Sequence, residues 1–545
     1  MEVEIEARSG VVLRADLTLP EGTGPFPTLF AASPYQKSLG RLPVHPVFPF
    51  RETGPIEFYV EHGYAHLWVD VPGSGRSEGT WDPVSRNEGE ALHDVVEWIA
   101  AQHWSNGKVG GIGQSYFAWS QWNVARTLPP HLTTIVPFDG GVDMYRDWQC
   151  HGGLPDLGFL SSWLTTVLLQ HQSEGHEIDG GGRAALLTEA YGRLEDDDWY
   201  RSRAPYWELD AVTIPVLSIG MLCKGPLHLR GNVEGFLRCS GPKRLVLMDA
   251  RSPNEAQRWF ADPEFHRREL LGWYDHHLKG VENGAMDGPA VRHALVGSGE
   301  TRTASNWPPP EAFASTFYLG SGPSNAVDSL NSGSLGDEPP PGADAVSWSY
   351  PHPRWDAGST VIGEGGRPDR FAGVCTFASD AFETAREFAG DGMLVLFASS
   401  DQEDLDLVVK VHVLPGGSPA QPRTVGQGWL RASHRGLDTR RSRPSHPFHP
   451  HREPEPLERG EIYELRVPLV PLSFSVAAGD RLLLELSNAD SPLFDGRFVH
   501  WYGLKVGTDT YHIGGNRPSR LVLDEITTPG ASRNSVAEDV EPPSG

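Results

Sequence analysis

The stretch that most constrains this chain is Lys108-Val-Gly-Gly-Ile-Gly-Gln-Ser-Tyr-Phe-Ala-Trp-Ser-Gln-Trp122. It passes from a short apolar run, through Gly113-Gln-Ser115, into a helix-patterned segment free of Gly and Pro as far as Leu128. A strand that turns sharply into a helix lifts one hydroxyl above the edge of a parallel sheet, with the helix N-terminal N–H groups facing it. Glycine at position 113 supplies the steric room such a turn needs. Gly322-Pro-Ser324, Gly416-Gly-Ser418 and Gly530-Ala-Ser532 share the tripeptide but lack the strand before and the helix after.

The segments around this turn alternate in period. Val3–Ala7, Val11–Leu19, Pro27–Ala32 and Ala65–Asp70 read as strands, Glu88–His103 as an amphipathic helix, and Thr133–Phe138 as the strand after the Ser115 helix. This order predicts an α/β fold built on a doubly wound sheet. From Asp143 to about Asp210 the pattern becomes helical (Phe159–Gln172, Arg183–Leu194), as a cap inserted over the sheet edge would be. Strands return at Pro215–Gly220 and Arg244–Met248, with helices predicted over Asn232–Arg238 and Glu264–Lys279. After Ser305-Asn-Trp-Pro-Pro-Pro310, strand patterns dominate, clearest at Met393–Ser399, Leu405–Val413, Ile462–Val467 and Arg481–Leu486, which predicts an all-β jelly-roll domain. The expected organisation is therefore 1–142 with 211–305 as the α/β domain, 143–210 as the helical cap, 311–525 as the β domain and 526–545 as a frayed tail.

Composition narrows the partners. The chain has 71 acidic and 46 basic residues, a net charge of −25, which opposes binding to nucleic acid or an anionic membrane. Met1-Glu-Val-Glu-Ile-Glu-Ala-Arg8 reads as an exposed strand rather than a signal peptide, and no apolar run approaches the ~20 residues that span a bilayer. Cys150, Cys223, Cys239 and Cys375 are widely spaced, which predicts reduced thiols in a cytoplasmic protein and no zinc site. Val71-Pro-Gly-Ser-Gly-Arg-Ser-Glu-Gly79 has Glu78 where a dinucleotide fingerprint needs its third Gly, so it reads as a tight loop and no cofactor is expected. Ser445-His-Pro-Phe-His-Pro-His451 reads as a solvated loop rather than a metal site, and Asp401–Asp406 as a turn at a strand edge. Trp119 and Trp122 are expected in the core.

Several stretches together resemble the cocaine-esterase and X-prolyl dipeptidyl peptidase (CocE/NonD) group of α/β-hydrolases, which carry a C-terminal jelly-roll domain. They are Ser33-Pro-Tyr35, Asp70–Gly79, Trp104-Ser-Asn-Gly-Lys-Val-Gly110, Gly113-Gln-Ser-Tyr-Phe-Ala118, Tyr145-Arg-Asp-Trp-Gln-Cys-His-Gly-Gly153, Leu227–Phe236 and Leu430-Arg-Ala-Ser-His-Arg435. The resemblance covers nearly the whole chain. It implies Ser115 as nucleophile, and the Tyr35 hydroxyl and Tyr116 backbone N–H as donors to the oxyanion of a tetrahedral intermediate.

The triad partners depart from that pattern. Where the family has its acid, this chain reads Gly220-Met-Leu-Cys223-Lys-Gly-Pro226; where the family has its histidine, it reads Asp249-Ala-Arg-Ser252-Pro-Asn254. A serine hydroxyl needs a base to take its proton. The sequence offers His151 after the sixth strand, His228 and Cys223 near the acid position, and Asp249 one strand later as substitutes. Each also has a plain structural reading: a hydrogen-bonded cap residue, a helix start, a buried thiol and a turn residue. Three readings follow: acyl transfer cleaving an ester or amide, dipeptidyl-peptidase-like; non-hydrolytic carbonyl chemistry (lyase, isomerase, cyclase or transferase); or a ligand-binding pseudoenzyme. The partner in each catalytic case is a small-molecule ester, amide or other carbonyl compound, with self-association into a homo-oligomer left open.

Overall fold

A computed structural model describes residues 1–38, 52–173, 182–322, 329–331, 333–350, 373–416, 422–490, 499–500 and 506–526. Three strands open the chain: β1 (Glu2–Glu6), β2 (Val12–Thr18) and β3 (Phe26–Ser33). There follow α1 (Ile56–Glu61), β4 (Ala65–Asp70), α2 (Arg86–Ala100), β5 (Ser105–Gln114), α3 (Tyr116–Ala125) and β6 (Leu132–Phe138). β4 is buried at every position, as a strand covered on both faces must be, whereas β2 alternates. The start of α2 is set by Ser85, whose hydroxyl accepts from Glu88 N at 3.2 Å; its buried face carries Leu92, Val95, Val96 and Ile99.

The chain then makes the two-residue strands β7 (Cys150–His151) and β8 (Leu154–Pro155) and the helices α4 (Phe159–Ser173), α5 (Gly182–Gly192) and α6 (Asp198–Arg201). It returns to the sheet as β9 (Val216–Met221), α7 (Arg230–Arg238) and β10 (Lys243–Met248). The single helix predicted over Glu264–Lys279 is instead broken, and another precedes it: α8 (Pro253–Ala261), α9 (Pro263–Glu269) and α10 (Leu271–Tyr274), then a wide turn over Asp275–Lys279. Ser252 and Asp262 cap α8 and α9, each with proline in first position, and every such cap starts a new axis. Two unpredicted strands, β11 (Val291–Ala294) and β12 (Thr301–Ala304), extend the sheet.

The sheet order is β1-β2-β4-β3-β5-β6-β9-β10-β11-β12. β4 through β11 pair in parallel, and the outer pairings β1–β2, β2–β4 and β11–β12 are antiparallel. The register places Ser33 opposite Asp70, Gln114 opposite Phe138 and Met221 opposite Met248. The residues that follow these strands therefore share one carboxyl edge, where open α/β sheets hold their ligands.

Beyond residue 312 the described residues form a twelve-stranded, mainly antiparallel sheet arrangement whose longest strand is Arg386–Ser400. It encloses its own apolar cluster, including Phe388, Leu394, Leu407, Val409, Phe474 and Leu484. Arg443 joins this part to the first sheet, donating to Glu234 of α7 at 2.9 Å and to Asp391 at 2.7 Å. No helix among the described residues is long and apolar enough to cross a membrane.

The stretch Ser445–His451 corrects the expectation of a solvated loop. His446, His449 and His451 are 8%, 3% and 6% exposed. The Arg146 guanidinium donates to the His449 and Pro450 carbonyls at 3.0 and 3.2 Å, and Phe448 stacks on Tyr206. The prolines and histidines form a strap packed between the helical insertion and the strands, its backbone carbonyls satisfied by a buried cation. Trp119 and Trp122 are buried as expected, and the loop after Asp70 is structural. The Asp70 carboxylate accepts from Lys37 N at 2.7 Å, and a Cβ at Gly75 would lie 2.2 Å from it.

Candidate active site

Ser115 sits between β5 and α3 with φ 61° and ψ −121°, a backbone conformation that L-residues rarely hold. The surroundings enforce it. Ser115 N donates to the carbonyls of Phe138 and Asp139, both at 3.1 Å, and Ser115 O accepts from Ala118 N and Trp119 N. Gly113, at φ +134°, leaves no room for a Cβ, which would meet the Phe117 Cβ at 2.3 Å. The Ser115 side chain caps nothing on α3 and is not spent on the first N–H groups of that helix. Ser115 is partly exposed amid buried neighbours.

Tyr35 lies two residues past β3 at the same edge. Its hydroxyl is hydrogen-bonded with Ser115 and accepts from Trp163 Nε1 at 2.9 Å. Burial, followed by the negative charge of Glu52, holds the phenol well above its ordinary pKa, so it stays protonated and able to donate. Trp163, from α4, stacks on the Tyr116 ring at 6.0 Å and meets Trp148 at 4.6 Å. The Tyr116 hydroxyl points away from the serine, donating to Glu88 at 2.7 Å. Burial pushes the Glu88 carboxyl up to about 8. A groove of about 930 Å³ opens on that far side, lined by Glu88, Trp81, Asp82 and Arg203, and does not include Ser115 or Tyr35.

On the other flank stands a buried ion pair. Asp139, at φ 51°, accepts from Lys224 Nζ at 2.8 Å, from Gln114 Nε2 at 2.9 Å and from Met221 N at 2.9 Å. These bonds use both carboxylate oxygens and lock the ends of β5, β6 and β9 together. A buried pair so fully bonded is stable, but removing either partner strands the other.

Glu52 completes the cluster. Its carbonyl accepts from Gln114 N at 2.8 Å, which sets its main chain beside the Ser115 turn. Its Oε1 accepts from Gln257 Nε2 of α8 at 3.1 Å, while Oε2 is buried with no hydrogen-bond partner. Burial pushes this carboxyl up to about 7; Lys224 and the Gln257 hydrogen bond pull it down, and Asp139 pushes it up.

The substitutes offered by the sequence fall elsewhere. Of the two readings of His151, the hydrogen-bonded one holds: its Nδ1 lies 2.6 Å from His500 Nε2, and His500 Nδ1 lies 2.6 Å from Asp490. This chain ties β7 to the second sheet, and burial pushes the His151 imidazole down to about 3. His228 is buried in the wide turn Gly225–Leu229 with Nδ1 unpaired, and burial holds it well below its ordinary range. Cys223 is a half-buried thiol pushed up to about 12 by burial. Asp249 is half-buried and raised by burial, with Arg423 and Glu255 as its charged neighbours. Ser252, at the histidine position, is the N-cap of α8 and accepts from Glu255 N at 3.3 Å.

Among the described residues no imidazole is hydrogen-bonded to Ser115. The residues bonded to one another, to Tyr35 or to the ends of this turn, Glu52, Asp139, Lys224, Gln257 and Trp163, carry no spacing that marks them as a motif. Only Asp139-Gly-Gly at a strand end and the Ser252-Pro-Asn-Glu255 cap offered a local signal.

The pattern of the S15 family of X-Pro dipeptidyl-peptidases matches residues 9–251, and that of the X-Pro dipeptidyl-peptidase C-terminal non-catalytic domain matches residues 283–522. Cocaine esterase of Rhodococcus sp. is 26% identical over 588 aligned residues, spanning 96% of this chain and 98% of its own. The crystal structure of a CocE/NonD family hydrolase from Staphylococcus aureus matches with a TM-score of 0.81 at 25% identity, over 96% of this chain and 93% of that one. An α-amino acid ester hydrolase shares the fold at a TM-score of 0.72 and 18% identity, over 96% of each chain. Family and relatives point to hydrolase activity of the serine-esterase or X-Pro dipeptidyl-peptidase kind. With its parallel sheet, its Ser115 turn and its strand-rich C-terminal part, this chain belongs to the cocaine-esterase and X-Pro dipeptidyl-peptidase-like group of α/β-hydrolases, and is a hydrolase-family enzyme.

Proposed function

We propose that the protein cleaves a small ester or amide by acyl transfer through Ser115. The observation that carries this reading is the Ser115 backbone at φ 61°, presenting its hydroxyl to Tyr35 at the carboxyl edge of the sheet. Oγ attacks the substrate carbonyl, and the oxyanion so formed takes hydrogen bonds from the Tyr35 hydroxyl and the Tyr116 N–H. Two donors fixed before the reaction need no reorganisation as charge develops, and loss of one commonly lowers rate by about 10²-fold or more. The leaving alcohol or amine departs with the proton that Oγ gives up, and a water then cleaves the acyl–serine bond, its hydroxyl going to the acyl carbon and its other proton back to Oγ.

The test is reaction with a fluorophosphonate followed by peptide mass mapping, beside turnover of a p-nitrophenyl ester and an X-Pro anilide. Modification at Ser115, with both turnover and labelling lost in Ser115→Ala, supports the reading. Folded protein that takes up no label overturns it.

The lack of an imidazole bonded to Ser115 among the described residues favours one alternative, carbonyl chemistry without an acyl-enzyme. There, polarisation of one oxygen by Tyr35 does most of the work. Under that reading Ser115→Ala retains substantial turnover while Tyr35→Phe abolishes it.

A further inference from the structure

We propose that Lys224 is a positioning residue for Ser115, acting through Asp139 and Gln114; this rests on the acyl-transfer reading above. The loop after β9, where the relatives' acid is expected, here carries a cation. Its partner carboxylate comes instead from the end of the neighbouring strand β6, with Lys224 Nζ 2.8 Å from Asp139 Oδ2. The lysine side chain is 9% exposed and the aspartate 0%, so water screens little of their attraction. A loop that would hold an acid for an imidazole thus neutralises a carboxylate.

The nucleophile turn hangs on Asp139. Its carbonyl accepts from Ser115 N at 3.1 Å, and its Oδ2 accepts from the Gln114 side-chain amide at 2.9 Å, so two consecutive residues of the turn end on it. Oδ1 accepts from Met221 N at 2.9 Å, and Asp139 N donates to Ile219 O at 2.8 Å, which fixes the residue to β9 by both side chain and main chain. Ser115 at φ 61° and Asp139 at φ 51° both hold positive-φ backbone, which persists only where the surroundings over-determine it. A carboxylate this deeply buried that loses the cation beside it is driven toward water, and here it would pull on both residues of the turn.

A pair that served stability alone would be replaceable by neutral side chains of the same volume, because apolar isosteres often match a buried ion pair in stability. This pair is bonded to the residues that aim the nucleophile. Its loss therefore falls on the geometry of Oγ and not on substrate affinity, and a displacement of about 1 Å commonly lowers rate by on the order of 10²-fold. Lys224 needs no contact with substrate for this role.

The experiment measures ester turnover and the rate of fluorophosphonate reaction at Ser115 in the wild type and Lys224→Ala, with thermal melts of each to establish folding. Lys224→Ala should lose roughly tenfold to a hundredfold in kcat and in labelling rate, with KM nearly unchanged. Propylammonium, which matches the deleted part of the side chain and carries its charge, should restore the labelling rate of Lys224→Ala in a saturable way and leave the wild type unaffected. The neutral 1-propanol, of similar size, should restore nothing. Folded Lys224→Ala that labels within about twofold of wild type overturns the proposal, as does the absence of recovery with propylammonium or an equal recovery with 1-propanol. If Lys224→Ala does not fold, Gln114→Leu takes its place, since it keeps the ion pair and cuts its bond to the turn. There a lowered kcat with KM kept supports the proposal, and a kcat within about twofold of wild type overturns it. Labelled wild type beside equally labelled variants sinks this proposal alone; unlabelled wild type sinks the acyl-transfer reading, and this proposal with it.

Discussion

Trp163 Nε1 donates to the Tyr35 hydroxyl oxygen at 2.9 Å, and the same hydroxyl is hydrogen-bonded with Ser115, so one phenol joins the helical insertion to the Ser115 turn. A phenol that accepts one hydrogen bond becomes a better donor in the other direction. The helical insertion therefore supplies more than an apolar wall: it holds the phenol that follows β3.

Replacing Trp163 by Phe keeps much of the ring stacking but deletes that bond. A neutral hydrogen bond contributes about 0.5–1.5 kcal/mol, so ester turnover should fall by roughly twofold to tenfold in kcat with KM nearly unchanged. Tyr35→Phe removes the donor itself and should lower kcat by about 10²-fold or more. Steady-state kinetics on both variants checks the ranking, and equal losses would contradict it.

Tyr116 separates backbone from side chain. Its N–H is the second proposed oxyanion donor, while its hydroxyl donates to Glu88 and accepts from Val84 N at 3.0 Å. Tyr116→Phe should leave both partners unsatisfied and destabilise the fold by about 1–3 kcal/mol, with kcat preserved under conditions where the protein is folded. Urea denaturation beside turnover at low temperature tests this.

Glu52 should leave a signature in stability. Its carboxyl has a reference value of 4.5 and is pushed up to about 7 in the folded chain. Between those values the folded state holds a proton that the unfolded state has lost, so stability falls as pH rises through this window and is flat on either side. Glu52→Gln lacks that proton linkage. Its stability relative to wild type should grow from pH 4.5 to 7, by roughly 3 kcal/mol at most, and denaturation series at pH 5 and pH 8 read the difference. A gap that is the same at both values would place the Glu52 carboxyl near its ordinary range.

What the sequence determined by itself is what neighbouring residues determine. The strand–turn–helix at Ser115 was legible because the apolar run, the glycine that permits the turn and the helix pattern lie within one short stretch. The parallel sheet was legible because strand and helix periods alternate along the chain, and Tyr35 and Tyr116 because the motifs that contain them are local. The side chains that meet around this turn were not legible. Glu52 and Gln257 meet across 205 positions, Tyr35 and Trp163 across 128, and His151 is drawn to His500 across 349. No periodicity records such meetings. Whether a carboxyl titrates near neutrality depends on how much water the fold removes from it and which charges remain beside it. For Glu52 that was settled by burial against Lys224, Asp139 and Gln257, groups that only the closed tertiary structure brings to one edge of the sheet.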